Sequence, residues 1–206
     1  MDKEVSRQLI HASGILFIIL AQFTGGLFTA LYFFMISLSF LLYSEYVRKE
    51  ERRLHGLMKA FESRFRGLAA GFERKSAARP FAGAIWFYFS CGLAFLVFPL
   101  PVASAAGAVL AVGDSFSTLV GLKFGRRRVV GRKTLEGVLA FFAISLPVSL
   151  FFVGMCPAFF GSLAATIAEL IPDMKKLENL KKRGWMDDNL LIPLAAGAVM
   201  LLSSST

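Results

Sequence analysis

Residues 14–44 read GILFIILAQFTGGLFTALYFFMISLSFLLYS, and not one of them is charged. Two apolar runs, about 8–23 and 27–44, meet across nothing more than Thr24-Gly25-Gly26. A helix needs roughly 20 predominantly apolar residues to cross a bilayer. The alternation of polar and apolar residues that marks a membrane barrel is missing, and the runs are continuously apolar. The paired glycines are a turn signal. This stretch therefore predicts two membrane helices joined as a hairpin.

The pattern repeats along the chain. Further apolar runs cover about 81–98, 101–121, 135–154, 156–171 and 189–203, with short uncharged turns at Pro99-Leu100-Pro101 and Gly154-Met155-Cys156-Pro157. Of the 206 residues, 56% are hydrophobic and only 18% charged, the reverse of what the exterior of a soluble domain requires. The reading is an all-α, polytopic integral membrane bundle: about seven transmembrane helices in a single domain spanning 1–206. A second apolar run follows the first almost at once with no small-residue cleavage site, so the first segment reads as a mature helix and not a signal peptide. Cys91 and Cys156 stand in separate apolar runs without paired spacing, as buried small hydrophobes do.

The charges fall into three connections. Residues 45–80 hold ten Lys/Arg against five Glu, 122–134 hold six Lys/Arg and no acid, and 172–188 hold five Lys/Arg and four acids. Seven spans put all three on one side together with the N-terminus, and basic short loops mark the cytoplasmic face. The N-terminus is expected inside and the C-terminus outside. The net charge of +9 then serves anionic membrane lipids, and nucleic acid is not needed to explain it. Within 45–80, Leu54, Leu57, Met58, Phe61, Phe65, Leu68 and Phe72 recur at three and four residues. That is an amphipathic helix suited to the headgroup layer or, equally, to packing against the bundle.

An ionisable residue inside a span costs roughly 2.5–3.5 kcal/mol even on the mild insertion scale, so each asks for a reason. His11, Asp114, Glu136, Glu169 and Asp188 come from five different spans, yet this topology puts all of them near the cytoplasmic end. Polar residues toward the outer end are not expected. Singly, Glu136 equally suits the positive end of a helix, Asp188 a helix cap, and His11 an interfacial position. Asp114 and Glu169 are flanked by apolar residues on both sides and resist such readings.

Beside these carboxylates, Gly121-Leu122-Lys123-Phe124-Gly125-Arg126-Arg127-Arg128-Val129-Val130-Gly131-Arg132-Lys133-Thr134 is free of acid. Glycines let backbone N–H groups turn toward an anion, and Lys and Arg neutralise phosphate. An ordinary basic cytoplasmic loop fits the composition as well. A Walker loop does not: five residues separate Gly125 from Gly131, Arg132 intervenes before Lys133, and no strand precedes. Carboxylates next to a cationic, glycine-rich backbone can hold a divalent metal with a polyphosphate. Phosphoryl transfer needs mainly such positioning, with a base for the attacking hydroxyl. A lipid alcohol presents its hydroxyl at this depth.

Ala111-Val112-Gly113-Asp114, continuing to Gly121 and Gly125, followed by Gly131-Arg132-Lys133-Thr134-Leu135-Glu136-Gly137, resembles the central motif of the dolichol kinase, phytol kinase and CTP-dependent diacylglycerol kinase family. Arg7 through His11 is similar to its N-terminal motif, and Glu169, Asp188-Asn189 and Pro193 to its C-terminal pattern. The resemblance runs from about residue 7 to 200 and matches the 45–80 loop least. It implies a CTP-dependent kinase that phosphorylates a long-chain lipid alcohol with Mg²⁺. By position, Asp114, Lys133, Glu136, Glu169 and Asp188 would be catalytic. Gly113, Gly121, Lys123, Gly125, Arg132, Lys133 and Thr134 would bind the nucleotide. Asp114, Glu136 and Glu169 would hold the metal, and Arg7, His11 and Asn189 would complete the polar site. Gln8 and Ser117 depart from the pattern, the first where a second basic residue is common, the second where a small apolar residue is usual.

Two other functions compete. A CTP-dependent cytidylyltransferase acting on a lipid phosphate would use the same site. However, the Gly-His-Gly-Gly context of phosphatidate cytidylyltransferases is absent, and His11 and His55 are the chain's two histidines. A small proton- or cation-coupled transporter would show inverted halves and midplane polar groups, which the sequence lacks. The expected location is a cell membrane, multi-pass, with the active site facing the cytoplasm.

Overall fold

The computed structural model describes residues 3–49, 81–174 and 187–204, the side chains of 3–10, 12–13 and 47–49 excepted. The amphipathic pattern at 54–72 and the Arg7 side chain lie outside the described residues. Seven helices make up nearly all of this: α1 (Lys3–Thr24), α2 (Gly26–Lys49), α3 (Ala82–Val97), α4 (Leu100–Phe124), α5 (Leu135–Leu150), α6 (Met155–Leu170) and α7 (Asp188–Ser203). The all-α expectation holds. Three helical segments are long and apolar enough to cross a membrane: Gly26–Tyr46, Leu100–Phe124 and Met155–Asp173. The apolar parts of the other four are shorter; a 16-residue helix such as α5 rises only ~24 Å, against a hydrocarbon core of ~30 Å.

The turns fall where the uncharged signals lie. Gly25 adopts φ 81° between α1 and α2, a left-handed conformation that a side chain would disfavour. Pro99 caps α4, and Gly154 precedes α6. The core forms around α4, whose stretch from Val102 to Ala111 is buried throughout. Its alanines let α1, α3, α5 and α7 approach closely, so Ile18, Phe87, Phe95, Phe141 and Ile192 fill one continuous cluster. α6 and α7 pair along most of their length, while α2 packs chiefly on α3.

Large apolar side chains also cover the outside. Phe23 is 83% exposed, Phe28 71% and Phe151 85%, with Leu31, Met35 and Leu139 similarly uncovered. Apolar exposure of this extent has no place in water and suits acyl chains.

Three features depart from the sequence reading, one being Cys156, which is exposed in the first turn of α6 while Cys91 is buried as expected. α4 is not a uniform helix: its halves, Leu100–Ala108 and Asp114–Phe124, are joined by a π-helical turn at Val109–Gly113, directly before Asp114. In addition, the end expected to lack polar residues carries a pair, Gln22 Nε2 donating to Ser104 Oγ at 2.8 Å. A neutral amide bonded to a hydroxyl ties α1 to α4 there without a buried charge, so it escapes the penalty that ionisable groups meet.

Candidate functional site

The acid-free segment after α4 folds as a small hairpin, which its glycine and arginine content did not foretell. β1 (Arg128–Val130) pairs antiparallel with β2 (Lys133–Thr134), placing Arg128 opposite Thr134 and Val130 opposite Lys133. Gly131 makes the turn with φ 54°, and its tip rests on the 3₁₀ turn Ile171–Asp173 that ends α6, where a Cβ would come within 3.0 Å of Asp173 Cβ. Only glycine fits both the conformation and the contact. Thr134 closes the hairpin by capping α5, its Oγ1 accepting from Gly137 N–H at 3.3 Å.

This geometry sends Lys133 into the bundle. Its Nζ donates to Glu169 Oε1 at 2.7 Å and lies 3.7 Å from Asp114 Oδ1. Burial alone would lower the lysine pKa, but the carboxylates of Asp114, Glu169 and Asp188 outweigh it and hold the ammonium above the ordinary lysine range. Four elements far apart in sequence thus converge: Asp114 from α4, Lys133 from β2, Glu169 from α6 and Asp188 from α7. Asp114, Glu169 and Asp188 are all buried.

Ser117, which sequence reasoning set aside as a departure from the motif, belongs to this cluster. One turn beyond Asp114 on α4, its hydroxyl donates to Glu169 Oε1 at 2.5 Å. The signal available in the sequence was its spacing of three from Asp114, which places both on one helix face. Two carboxylate oxygens of this cluster are buried without a hydrogen bond among the described residues: Asp114 Oδ1, which has the Lys133 ammonium at 3.7 Å, and Glu169 Oε2. Such groups ask for an explanation, a cation among them.

Glu136 does not join them. Its Oε2 accepts from the N–H groups of Arg126 at 3.0 Å and Arg127 at 3.4 Å, so it latches the incoming strand of the hairpin. It was expected as a third metal ligand beside Asp114 and Glu169, but it occupies the first turn of α5, where backbone donors meet it first. Among the described residues, no three His, Cys, Asp or Glu groups gather closely enough to hold a metal unaided.

The remaining expected residues divide. Asn189 is buried at the start of α7, but the cap there is Asp187, which accepts from Asn189 N–H at 3.0 Å and from Asn189 Nδ2 at 2.7 Å. Asp188, the first residue of α7, shares that N–H, its Oδ1 accepting at 3.1 Å. His11 is buried edge-on to Phe87, with ring centroids 4.7 Å apart. Lys123 is exposed and lies 5.3 Å over the ring of Phe124, and Arg132 is exposed on the hairpin. Three glycines serve packing: Gly113 against Ser145, Gly121 against Thr134, and Gly125 where a Cβ would strike Gly121 O.

The chain is 30% identical to a phytol kinase of Synechocystis over 132 residues, an alignment covering 61% of this chain and 56% of that protein. It is 25% identical over 197 residues to an uncharacterised protein of Rickettsia prowazekii, across 94% of this chain and 91% of the other. No family model and no solved structure matches.

Proposed function

We propose that this chain is a lipid-alcohol kinase that transfers the γ-phosphoryl group of CTP, with Mg²⁺, to the hydroxyl of a long-chain alcohol at the inner face of a cell membrane. The observation that carries the reading is the buried convergence of Lys133 with Asp114, Glu169 and Asp188 beside a basic hairpin. The partial likeness to a phytol kinase supports it, as do the three membrane-length helices. On the seven-span reading with the N-terminus inside, the basic connection that carries the hairpin faces the cytoplasm.

The roles follow from chemistry. Mg²⁺ takes a carboxylate or two together with phosphate oxygens, and the oxygens of Asp114 and Glu169 that lack a hydrogen bond suit that donor set. The metal would supply neutralisation of the charge on the phosphate oxygens. Lys133, permanently charged, exchanges its carboxylate partners for phosphate oxygens. The exposed Arg126, Arg127, Arg128 and Arg132 draw the triphosphate to the hairpin. Asp188 accepts the proton of the lipid hydroxyl while that oxygen bonds to the γ-phosphorus and the bridging oxygen leaves with CDP. Phytol, geranylgeraniol, polyprenol and diacylglycerol are the substrate classes to test.

The test is purified chain in micelles with Mg²⁺, a panel of these alcohols, and CTP or ATP labelled at either the α- or the γ-phosphate. Label from the γ-position in the lipid supports the kinase. Label from the α-position with release of pyrophosphate would establish a cytidylyltransferase instead, and no lipid labelling from any donor would sink both.

A further inference from the structure

We propose that Ser117 is a positioning residue whose hydroxyl holds Glu169 in place when Lys133 leaves that carboxylate for a phosphate; this rests on the kinase reading above. Glu169 has no exposed surface, and its Oε1 takes two donors, Lys133 Nζ at 2.7 Å and Ser117 Oγ at 2.5 Å. The two are not equivalent. Lys133 rides on a two-stranded hairpin at the rim, whereas Ser117 is built into α4, one turn from Asp114.

The hydroxyl is also used unusually. A serine or threonine inside a helix commonly returns its hydrogen bond to the carbonyl four residues back. Ser115 does so to Ala111 O, Ser149 to Ser145 O and Thr166 to Ser162 O, all buried in this bundle. Ser117 instead reaches across to another helix. A buried carboxylate stripped of its donors is strongly disfavoured. Were Lys133 the single donor to Oε1, each move of the ammonium toward a phosphate would orphan that oxygen, and Glu169 would compete with the nucleotide for the lysine. With Ser117 in place, Oε1 stays bonded throughout, and the carboxylate does not rotate. Glu169 Oε2 and Asp114 Oδ1, the carboxylate oxygens of the cluster that lack a hydrogen bond, keep their relative aim.

The experiment compares Ser117→Ala and Ser117→Thr in the otherwise native chain and in the Glu169→Gln background, using equilibrium binding of Mg·CTP alongside initial rates with a lipid alcohol. Ser117→Ala is expected to weaken Mg·CTP binding about tenfold, the scale of one hydrogen bond to a charged group, while kcat changes by about twofold or less. Ser117→Thr restores binding to within about threefold. In the Glu169→Gln background, where position 169 no longer carries a charge for Ser117 to hold, Ser117→Ala shifts binding by less than about twofold. Should Ser117→Ala fail to fold, Ser117→Cys, close in volume and a weaker donor, supplies the comparison.

Unchanged Mg·CTP affinity in Ser117→Ala overturns the proposal, as does an equal loss in the Glu169→Gln background. A native chain that binds Mg·CTP but phosphorylates no lipid alcohol sinks the kinase reading alone and leaves the Ser117 comparison to be decided on binding. A native chain that binds no Mg·CTP overturns both.

Discussion

Lys133 Nζ and Glu169 Oε1 are 2.7 Å apart, an ion pair joining a rim hairpin to a helix whose carboxylate has no exposed surface. Removing one member of such a pair leaves the other as an uncompensated buried charge, at a cost of about 3–5 kcal/mol, whereas replacing both with neutral groups relieves much of that. Lys133→Met alone should therefore lower the thermal midpoint in micelles, and Lys133→Met with Glu169→Gln should recover part of the loss. A double variant as unstable as the sum of the two singles would rule this coupling out. The lysine pKa is raised on folding. Its contribution is therefore complete below the unfolded value of about 10.4 and fades only as pH rises through the folded one. No loss of the pair is expected up to about pH 10, as a pH series of melting curves would show.

The ammonium lies between Asp114 and Glu169, where a divalent cation would be attracted. Lys133→Met should accordingly bind Mn²⁺ in the absence of nucleotide more tightly than the native chain, by about tenfold for each 1.4 kcal/mol of repulsion removed. The same substitution should weaken binding of the triphosphate. Spin-resonance titration of free Mn²⁺ reads the first effect, and weaker Mn²⁺ binding in the variant would contradict the arrangement.

Asp114→Asn keeps the shape of the site and removes one buried charge. Phosphoryl transfer should fall by roughly 10²–10³-fold, the range for losing one preorganised electrostatic group, with little change in how much protein folds. Transfer within about tenfold of native would move the chemistry away from Asp114.

Glu136 acts through the hairpin. Glu136→Gln weakens the charge-assisted bonds to Arg126 and Arg127 N–H, so these two amides should exchange hydrogen faster. The KM for nucleotide should rise while kcat holds. A collapse of kcat with KM unaffected would restore Glu136 to the chemistry itself.

Gly137 faces α4 so closely that a Cβ would sit 2.9 Å from Ser117 O. Gly137→Ala must separate α4 from α5 and should destabilise the chain by about 1–3 kcal/mol. A melting temperature at or above the native one would show that this helix pair is looser than its packing implies.

Much of the architecture was legible in the residues. Thr24-Gly25-Gly26 and Pro99-Leu100-Pro101 marked turns because glycine and proline act on the backbone locally, and the helices end there. Asp114 and Glu169 stood out because charge in an apolar run is costly wherever it points. The surroundings of Glu136 were not legible: whether a carboxylate at a helix start meets a metal or a neighbouring N–H depends on where the preceding loop passes. Ser117 was set aside for a related reason, since a hydroxyl gives no hint of whether it bonds its own helix or the next.

By itself, then, the chain's order of residues determined that it is helical, that much of its surface is apolar, and which few ionisable groups needed partners. These properties depend on nearest neighbours and on transfer from water, and both can be read along one dimension. The tertiary structure alone decided which of those groups meet. It joined Lys133 to Glu169 across 36 residues and Ser117 to the same carboxylate across 52. It also turned Glu136 aside to the hairpin backbone. Hydrogen bonds act over about 3 Å and only in certain directions, so the partner of a buried polar group is fixed by how the helices pack.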